Sequence, residues 1–480
     1  MTTTPETAKP AAPPARAADP PRPAVPRHVW QVAAVVIVGA FMAQLDGALV
    51  NIGLATVAAD LHASLQTSQW LVSGYLLALV AGLPLCGWAG RRIGAGRLWV
   101  WSLVAFTVAS VLCAVAGDIR VLIAARVLQG VAGGLLLPVG QTVIAQVAGR
   151  ELMGRVMSSA GAALVLAPAL GPVLGGLLIA HTSWPWLFLI NVPVGVLGVW
   201  LGLRVLPRGE PQASTGFDTA GFALIGVGLP ALTYAVSTAA EPGGRTATGF
   251  WLPLVLGLAA LAAFVLRARR TAAPLLNLGL FANRVFTAAS VSGFLAGAIQ
   301  FGALVIWALY FQQLRGYGVI ASGLAMVGFA LGAALLPFAG RLTDRFGGGP
   351  VALTGALLTG ASVLPVALLP ADTPLWALEA CLFALGVANA LSVVPSSTAA
   401  YVSVPPQQVP DAVTVINIFL RLGGAVGASL LIAVLGDGGG DRAGLLAGFH
   451  ASFWWLAAFS LVFAGCALVL VRASAPRDGR

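Results

Sequence analysis

Gly87-Trp88-Ala89-Gly90-Arg91-Arg92-Ile93-Gly94 follows one apolar run of the chain, and Gly340-Arg341-Leu342-Thr343-Asp344-Arg345-Phe346-Gly347 follows another. The two octets are degenerate copies of one pattern. Each begins and ends on glycine, and each carries a charged pair at its fifth and sixth positions, Arg91-Arg92 in one and Asp344-Arg345 in the other. Each also follows the second apolar run of a set of six. The chain therefore reads as two homologous six-helix halves, an arrangement that places a binding site at the interface of the halves near the bilayer midplane.

Outward from these octets, a helix needs about 20 apolar residues to cross the ~30 Å hydrocarbon core. Spans are predicted near 29–52, 68–90, 97–117, 120–147, 157–180 and 186–206, then 217–238 and 249–267. The last six lie near 286–312, 320–340, 350–370, 374–397, 411–436 and 449–472. The predicted fold is an all-α polytopic membrane protein of about 14 transmembrane helices, organised as six, two inserted, and six. The divisions are a disordered tail over 1–27, a bundle over 28–207, the insert with its linkers over 208–284, a second bundle over 285–472 and a tail over 473–480.

Composition agrees with this reading and removes others. Hydrophobic residues make up 59% of the chain and charged residues 9%, with a mean hydropathy of +0.93. A soluble domain needs roughly a quarter of its residues charged. The net charge of +10 first suggests nucleic acid, yet the only lysine is Lys9 and the arginines recur in short clusters between apolar runs. That distribution is a membrane topology signal. With the N-terminus cytoplasmic, twenty Lys and Arg residues fall inside and four, Arg120, Arg245, Arg315 and Arg442, fall outside. Both termini are thus expected to be cytoplasmic, in a multi-pass protein of the inner (plasma) membrane. Cys86, Cys113, Cys381 and Cys466 all lie in apolar runs without metal-ligand spacing, so no metal site is expected. Because Lys9 lies in the tail, no P-loop exists, and no hydrolase constellation appears either. Enzymatic activity is not expected.

Charge inside hydrocarbon is costly and therefore informative. Asp46, Arg126, Glu379 and Arg421 lie clearly within spans. At a rise of 1.5 Å per residue, Asp46 is roughly 25 Å up from the cytoplasmic start of its helix and Arg126 roughly 9 Å below the outer surface. They come within about 5 Å of one level, a gap an arginine side chain spans. Asp46 and Arg126 form a candidate proton-coupling pair, with Asp46 the carboxylate that exchanges the proton. A buried ion pair that only fixes helix packing is the alternative. Glu379 is a second protonatable or cation-attracting group, or else an interfacial residue reaching outward. Arg421, near mid-depth, makes a structural ion pair with Glu379 or helix carbonyls, or else takes part in substrate binding.

The remaining candidates come from the span interiors and from glycine-rich stretches. Gln44, Asn51, Gln129, Gln300, Trp307, Tyr310 and Asn389, together with Arg421, are candidates to line a substrate cavity. Gly171, Pro172, Gly175 and Gly176 read as a hinge or a seal between the halves, since proline removes a donor and small residues allow close approach. Ordinary close packing is the competing reading. Gly87, Arg91, Arg92, Gly94, Gly340, Asp344, Arg345 and Gly347 belong to the loop octets, where Arg and Asp pair with helix ends and latch one conformation.

At these residues the chain resembles the major facilitator superfamily, specifically its 14-helix drug:proton antiporter branch, from about residue 29 to 472. Leu45-Asp46-Gly47-Ala48-Leu49-Val50-Asn51-Ile52 is similar to the branch motif on the first helix, with Ala48 where Thr or Ile is usual. Arg126-Val127-Leu128-Gln129-Gly130 matches the motif on the fourth, and Gly171-Pro172-Val173-Leu174-Gly175-Gly176 resembles the antiporter motif on the fifth. Trp184-Pro185-Trp186-Leu187-Phe188-Leu189-Ile190-Asn191-Val192-Pro193 tracks a family stretch that usually has Arg in place of Pro185. Two departures stand out: Arg91 replaces the usual loop Asp, which leaves its salt bridge without a carrier in the first half, and Arg421 stands where Gln is usual.

The resemblance implies proton-coupled export of small lipophilic drugs, antibiotics or secondary metabolites by alternating access. It implies a proton gradient as energy source without a cofactor, and protons, a small-molecule substrate and the lipid bilayer as partners of a monomer, with no nucleic acid. A carrier or importer of another metabolite, and a non-transporting receptor or scaffold, are the competing classes.

Overall fold

The computed structural model describes residues 25–209, 216–238, 248–271, 274–436 and 442–474. Arg245, the N-terminal tail through residue 24 and residues 475–480 lie outside the described residues, as does the side chain of Pro172. Among the described residues the chain is helical and contains no strand. Apolar residues surround most of the helices on every side, so packing and lipid, rather than an amphipathic stripe, set each helix's orientation.

The N-terminal bundle comprises α1 (Arg27–Asp60), α2 (Leu65–Ser68), α3 (Trp70–Gly82), α4 (Leu85–Ile93), α5 (Ala95–Ala114), α6 (Ile119–His181), α7 (Trp186–Leu189) and α8 (Asn191–Val205). The insert is α9 (Thr219–Thr238) and α10 (Thr248–Arg270). The C-terminal bundle follows as α11 (Arg284–Leu309), α12 (Val319–Leu324), α13 (Val327–Ala333), α14 (Leu336–Phe346), α15 (Gly348–Val363), α16 (Leu375–Val402), α17 (Val409–Gly436) and α18 (Arg442–Ser474). Within the first bundle α6 packs on α1, α3 and α5. Within the second, α11 packs on α17, and α15 packs on α16 and α18.

Among the described residues eleven helices are long and apolar enough to cross a bilayer, and twelve once α3 and α4, bent by 54°, are taken as one broken span. The bend falls at Leu83-Pro84, where proline withholds a backbone donor. The expected spans 157–180 and 350–370 coincide with the second part of α6 and with α15, an apolar helix of 16 residues. Every one of the 14 expected spans thus has a helix, and the count is compatible with the fold. Gly149, at φ 66°, separates the two parts of α6 in a conformation that only glycine adopts without strain.

The repeated octets do the same structural work twice. Gly94 ends α4 at φ 89° and Gly347 ends α14 at φ 83°. Each supplies the positive φ that stops a helix and turns the chain into the next one. Helix starts are capped by side chains: Asp118 Oδ1 accepts from the Arg120 N–H at 2.7 Å, and Asn283 Oδ1 accepts from the Val285 N–H at 2.9 Å.

The bundles meet at the end that carries the octets. Gly340 of α14 lies so close to Gly154 and Ser158 of α6 that a β-carbon there would collide with the Gly154 carbonyl. The second part of α6 also lies against α16, and α17 lies against α4. In the insert, Arg267 Nε donates to Asp218 Oδ1 at 2.8 Å, tying α10 to the start of α9. Burial raises the Asp218 carboxyl, but the Gly221 N–H and Arg267 outweigh it and hold the group below its usual range. In the structure α9 packs on α3 and on α17, one helix from each bundle, and so bridges the seam between them.

Candidate functional site

Two long helices set the site: α1 brings Asp46, and α6 brings Arg126 and Gln129 one turn apart. Both charged groups are 0% exposed. Arg126 Nη1 donates to Asp46 Oδ2 at 2.6 Å, and its Nε donates to the Leu71 carbonyl of α3 at 3.1 Å. Arg126 Nη1 also donates to Gln129 Oε1 at 2.6 Å. The other carboxylate oxygen, Asp46 Oδ1, accepts from Gln129 Nε2 at 3.1 Å and from Asn191 Nδ2 at 2.7 Å. Ser110 Oγ of α5 accepts from Gln129 Nε2 at 2.7 Å and joins the two amides.

Five helices, α1, α3, α5, α6 and α8, therefore share one buried network, and every contact to the carboxylate, from α6 and α8, is a donor. That is the arrangement an ionised Asp46 requires at this depth, where an unpaired charge is expensive. Arg126 Nη2 has no hydrogen-bond partner among the described residues. The guanidinium instead lies over the Tyr75 ring at 4.1 Å and near the Phe188 ring at 5.7 Å, where the ring faces attract its charge. Tyr75 in turn donates its hydroxyl to the Ala43 carbonyl at 3.2 Å, pinning the stacking ring to α1.

The other sequence candidates are distributed differently from expectation. Gln129 belongs to the buried Asp46 network rather than to a cavity wall. Gln44 and Asn51 share an exposed face of α1, and Asn51 Nδ2 donates back to the Gly47 carbonyl at 3.1 Å. Gln300 and Asn389 line one cavity inside the C-terminal bundle, beside Phe329, Thr359 and Ser392. Trp307 and Tyr310 do not line it. They are 1% and 2% exposed and close into an aromatic cluster with Phe311, Phe449 and Phe453, because burying large rings is worth more here than presenting them.

Glu379 stands apart from both Asp46 and Arg421. Its Oε2 accepts from the Gly328 N–H at 2.7 Å, which ties α16 to α13 within one bundle. The pairing of Arg421 with Glu379 weighed from the sequence is not formed among the described residues, and Glu379 instead holds the Gly328 amide. Arg421 is half-buried and makes no ion pair or hydrogen bond among the described residues.

The glycine stretches also sort differently. Gly171 meets Ala48 of α1 and Gly175 meets Ile52 of α1, whereas Gly176 has open space around it. The antiporter-like stretch is therefore a close approach within the N-terminal bundle, not a seal between the bundles. The glycines at the crossing of the bundles include Gly154 and Gly161 of α6 and Gly340 of α14. Backbone angles stay helical across Gly171–Gly176, and the break in α6 is at Gly149.

At the octets, Asp344 Oδ2 accepts from the Arg155 backbone N–H at 3.2 Å and faces Arg155 Nε at 3.6 Å. Arg91, whose salt bridge was in doubt, pairs with Asp411 in the first turn of α17. Gly87 leaves the room this requires, since a β-carbon there would collide with Asp411. The two contacts are related by exchange of charge: acid on the octet helix α14 and base on α6 in one, base on the octet helix α4 and acid on α17 in the other. Arg92 lies over Trp88 at 5.6 Å and Arg345 over Phe346 at 5.1 Å.

Asn191 and Asp411 had been given no role from the sequence. The signal for the first was an amide inside an apolar stretch, and for the second an acid at the start of a span. No group of metal-ligating side chains occurs among the described residues.

The model of the Major Facilitator Superfamily matches residues 36–428 and, in a second match, 289–480. The Multidrug resistance protein B homolog of Mycobacterium tuberculosis is 35% identical over 409 residues, covering 84% of this chain and 76% of that protein. Riboflavin transporter RibZ of Clostridioides difficile is 30% identical, covering 80% of this chain and 83% of that protein. Among solved structures, the proton:xylose symporter XylE superposes with a TM-score of 0.64 at 14% identity, over 92% of this chain and 96% of that one. At that identity the likeness is one of fold.

Proposed function

The chain belongs to the major facilitator superfamily and is a membrane transporter rather than an enzyme, and on that premise we propose that it exports small lipophilic drugs, antibiotics or secondary metabolites in exchange for protons. The observation that carries the reading is the buried Asp46–Arg126 pair, with Gln129 and Asn191 on the same carboxylate. Asp46 is the proton carrier. When water reaches it a proton can bind, the negative charge facing Arg126 is lost, and the donors from α6 and α8 face a weaker common acceptor. Proton occupancy is thereby tied to the packing of α1 against the rest of its bundle.

With the arginine-rich end cytoplasmic, the contacts at Gly340, Asp344 and Arg91 close the cytoplasmic side. Names of relatives support export of drugs, since several are multidrug resistance proteins. A second reading, carriage of a metabolite, is favoured by the relative named as a riboflavin transporter.

The test is proton-driven uptake of a panel of lipophilic antibiotics and dyes into everted membrane vesicles, with substrate-induced proton movement followed by a pH-sensitive dye. Asp46→Asn keeps the size of the side chain but cannot exchange a proton. The variant is expected to bind substrate while losing gradient-driven uptake and substrate-induced proton release. Wild-type rates of proton-driven uptake in Asp46→Asn would remove Asp46 from the mechanism.

A further inference from the structure

The charges within the spans do not balance at the interface of the bundles. Asp46 and Arg126 neutralise each other inside the N-terminal bundle. Glu379 is held by a backbone amide inside the C-terminal one. Asp411 is taken by Arg91, and Asp344 by Arg155. Arg421 remains, with no ion pair or hydrogen bond among the described residues.

Its position is set by its neighbours on α17. One turn earlier, Asn417 Nδ2 donates across the interface to Gln141 Oε1 of α6 at 2.8 Å. Residues four apart share a helix face, so Arg421 points toward the same interface. Tyr75 of α3 is its electrostatic neighbour from the opposite bundle. Twelve residues of rise from Val409 place it about 18 Å into α17, near the middle of a ~30 Å core. Gly297 of α11 packs against the Leu420 carbonyl and Gly423 against the Phe294 carbonyl, so the backbone carrying Arg421 is fixed. The side chain itself is half-buried.

A guanidinium stays charged at any accessible pH, and a charge at this depth needs a counter-charge. Its planar fork of donors matches a carboxylate in two parallel hydrogen bonds. We propose that Arg421 is the anion-recognition residue of the interface between the bundles, and that the transported molecule is an amphiphile bearing a carboxylate. This rests on the interface being the substrate path. Lipid phosphates lie at the bilayer surfaces, away from this depth. A cationic amphiphile meets uncompensated positive charge here and is disfavoured.

The test is equilibrium binding, without any gradient, so that it is independent of whether Asp46 couples protons. Full-length protein in nanodiscs is titrated with three pyrene probes of matched size: pyrenebutyrate, its neutral amide, and a pyrenebutyl trimethylammonium. Fluorescence anisotropy reads the affinities, and thermal melting checks that each variant is folded. Wild type is expected to bind the carboxylate at least tenfold more tightly than the amide and to bind the ammonium most weakly. Arg421→Gln is expected to lose that preference, and Arg421→Lys to keep part of it, because charge remains but the fork is lost. Equal binding of acid and amide, a preference for the ammonium, binding of none of the three, or an unchanged preference in folded Arg421→Gln would each overturn the assignment. Failure of proton coupling would instead appear as intact carboxylate binding without gradient-driven transport.

Discussion

Asp46 and Arg126 come from helices 80 positions apart and are both fully buried, so each depends on the other for its counter-charge. Breaking such a pair by removing one partner costs about 3–5 kcal/mol, so Asp46→Asn is assayed at matched membrane abundance. Asn191 is the more informative residue, because it touches the carboxylate without carrying charge. Asn191→Ala removes a hydrogen bond to a charged group, worth about 1.5–3 kcal/mol. If Asn191 helps set the proton exchange of Asp46, the variant shifts the pH profile of transport in vesicles. If it only packs α8 against α1, membrane abundance falls and the profile stays in place. At this scale the depth of Asp46 and Arg126 was legible from the sequence because helix rise is constant. The rotation of Asn191 toward them was not, since one amide in an apolar span carries no record of which way it faces.

Helix contacts divide the glycines of one motif into those that matter for packing and one that does not. Gly171 and Gly175 lie against Ala48 and Ile52 of α1, and Gly176 faces open space. Gly171→Leu is therefore expected to push α1 away from α6, moving the helix that carries Asp46, and to impair coupling while the protein still reaches the membrane. Gly176→Leu is expected to be close to neutral. Proton leak and transport in vesicles, with immunoblotting for abundance, separate the two. Equal transport by both variants at wild-type level would show that the α1–α6 approach plays no part in coupling. The sequence marks this stretch as rich in small residues, yet small residues are wanted by any close approach. Only the packed helices show that the partner is α1 of the same bundle, while Gly340 makes the approach between bundles.

Across the whole molecule, two charge pairs of opposite polarity join the bundles at the arginine-rich end. An acid near a helix N-terminus favours the helix macrodipole as well as its basic partner. Asp411, in the first turn of α17, thus gains from both, and Arg91 gains a partner that the usual Asp would repel. Arg91→Asp places two acids together and is expected to loosen the closed end. The double variant Arg91→Asp, Asp411→Arg is expected to restore much of the contact, at some cost from the basic residue at the helix start. The readout is thiol accessibility of a cysteine placed at Ser158, beneath the Gly340 crossing, in a background lacking native cysteines. Labelling should rise in the single variant and fall back in the double. Unchanged labelling in Arg91→Asp would exclude the pair as a latch.

The sequence by itself determined the helical membrane class, the repeated halves, the inserted pair and the shared level of Asp46 and Arg126. These follow from run length, hydropathy and a constant rise per residue, all of which are local quantities. Tertiary structure decided which charges meet. Arg91 finds Asp411, Glu379 goes to a backbone amide rather than to Arg421, and Trp307 and Tyr310 turn into an aromatic core. Helices that are apolar on every side have no preferred face, so their rotation about their own axes is settled only when they pack. Contacts between side chains far apart in the chain are settled at the same step.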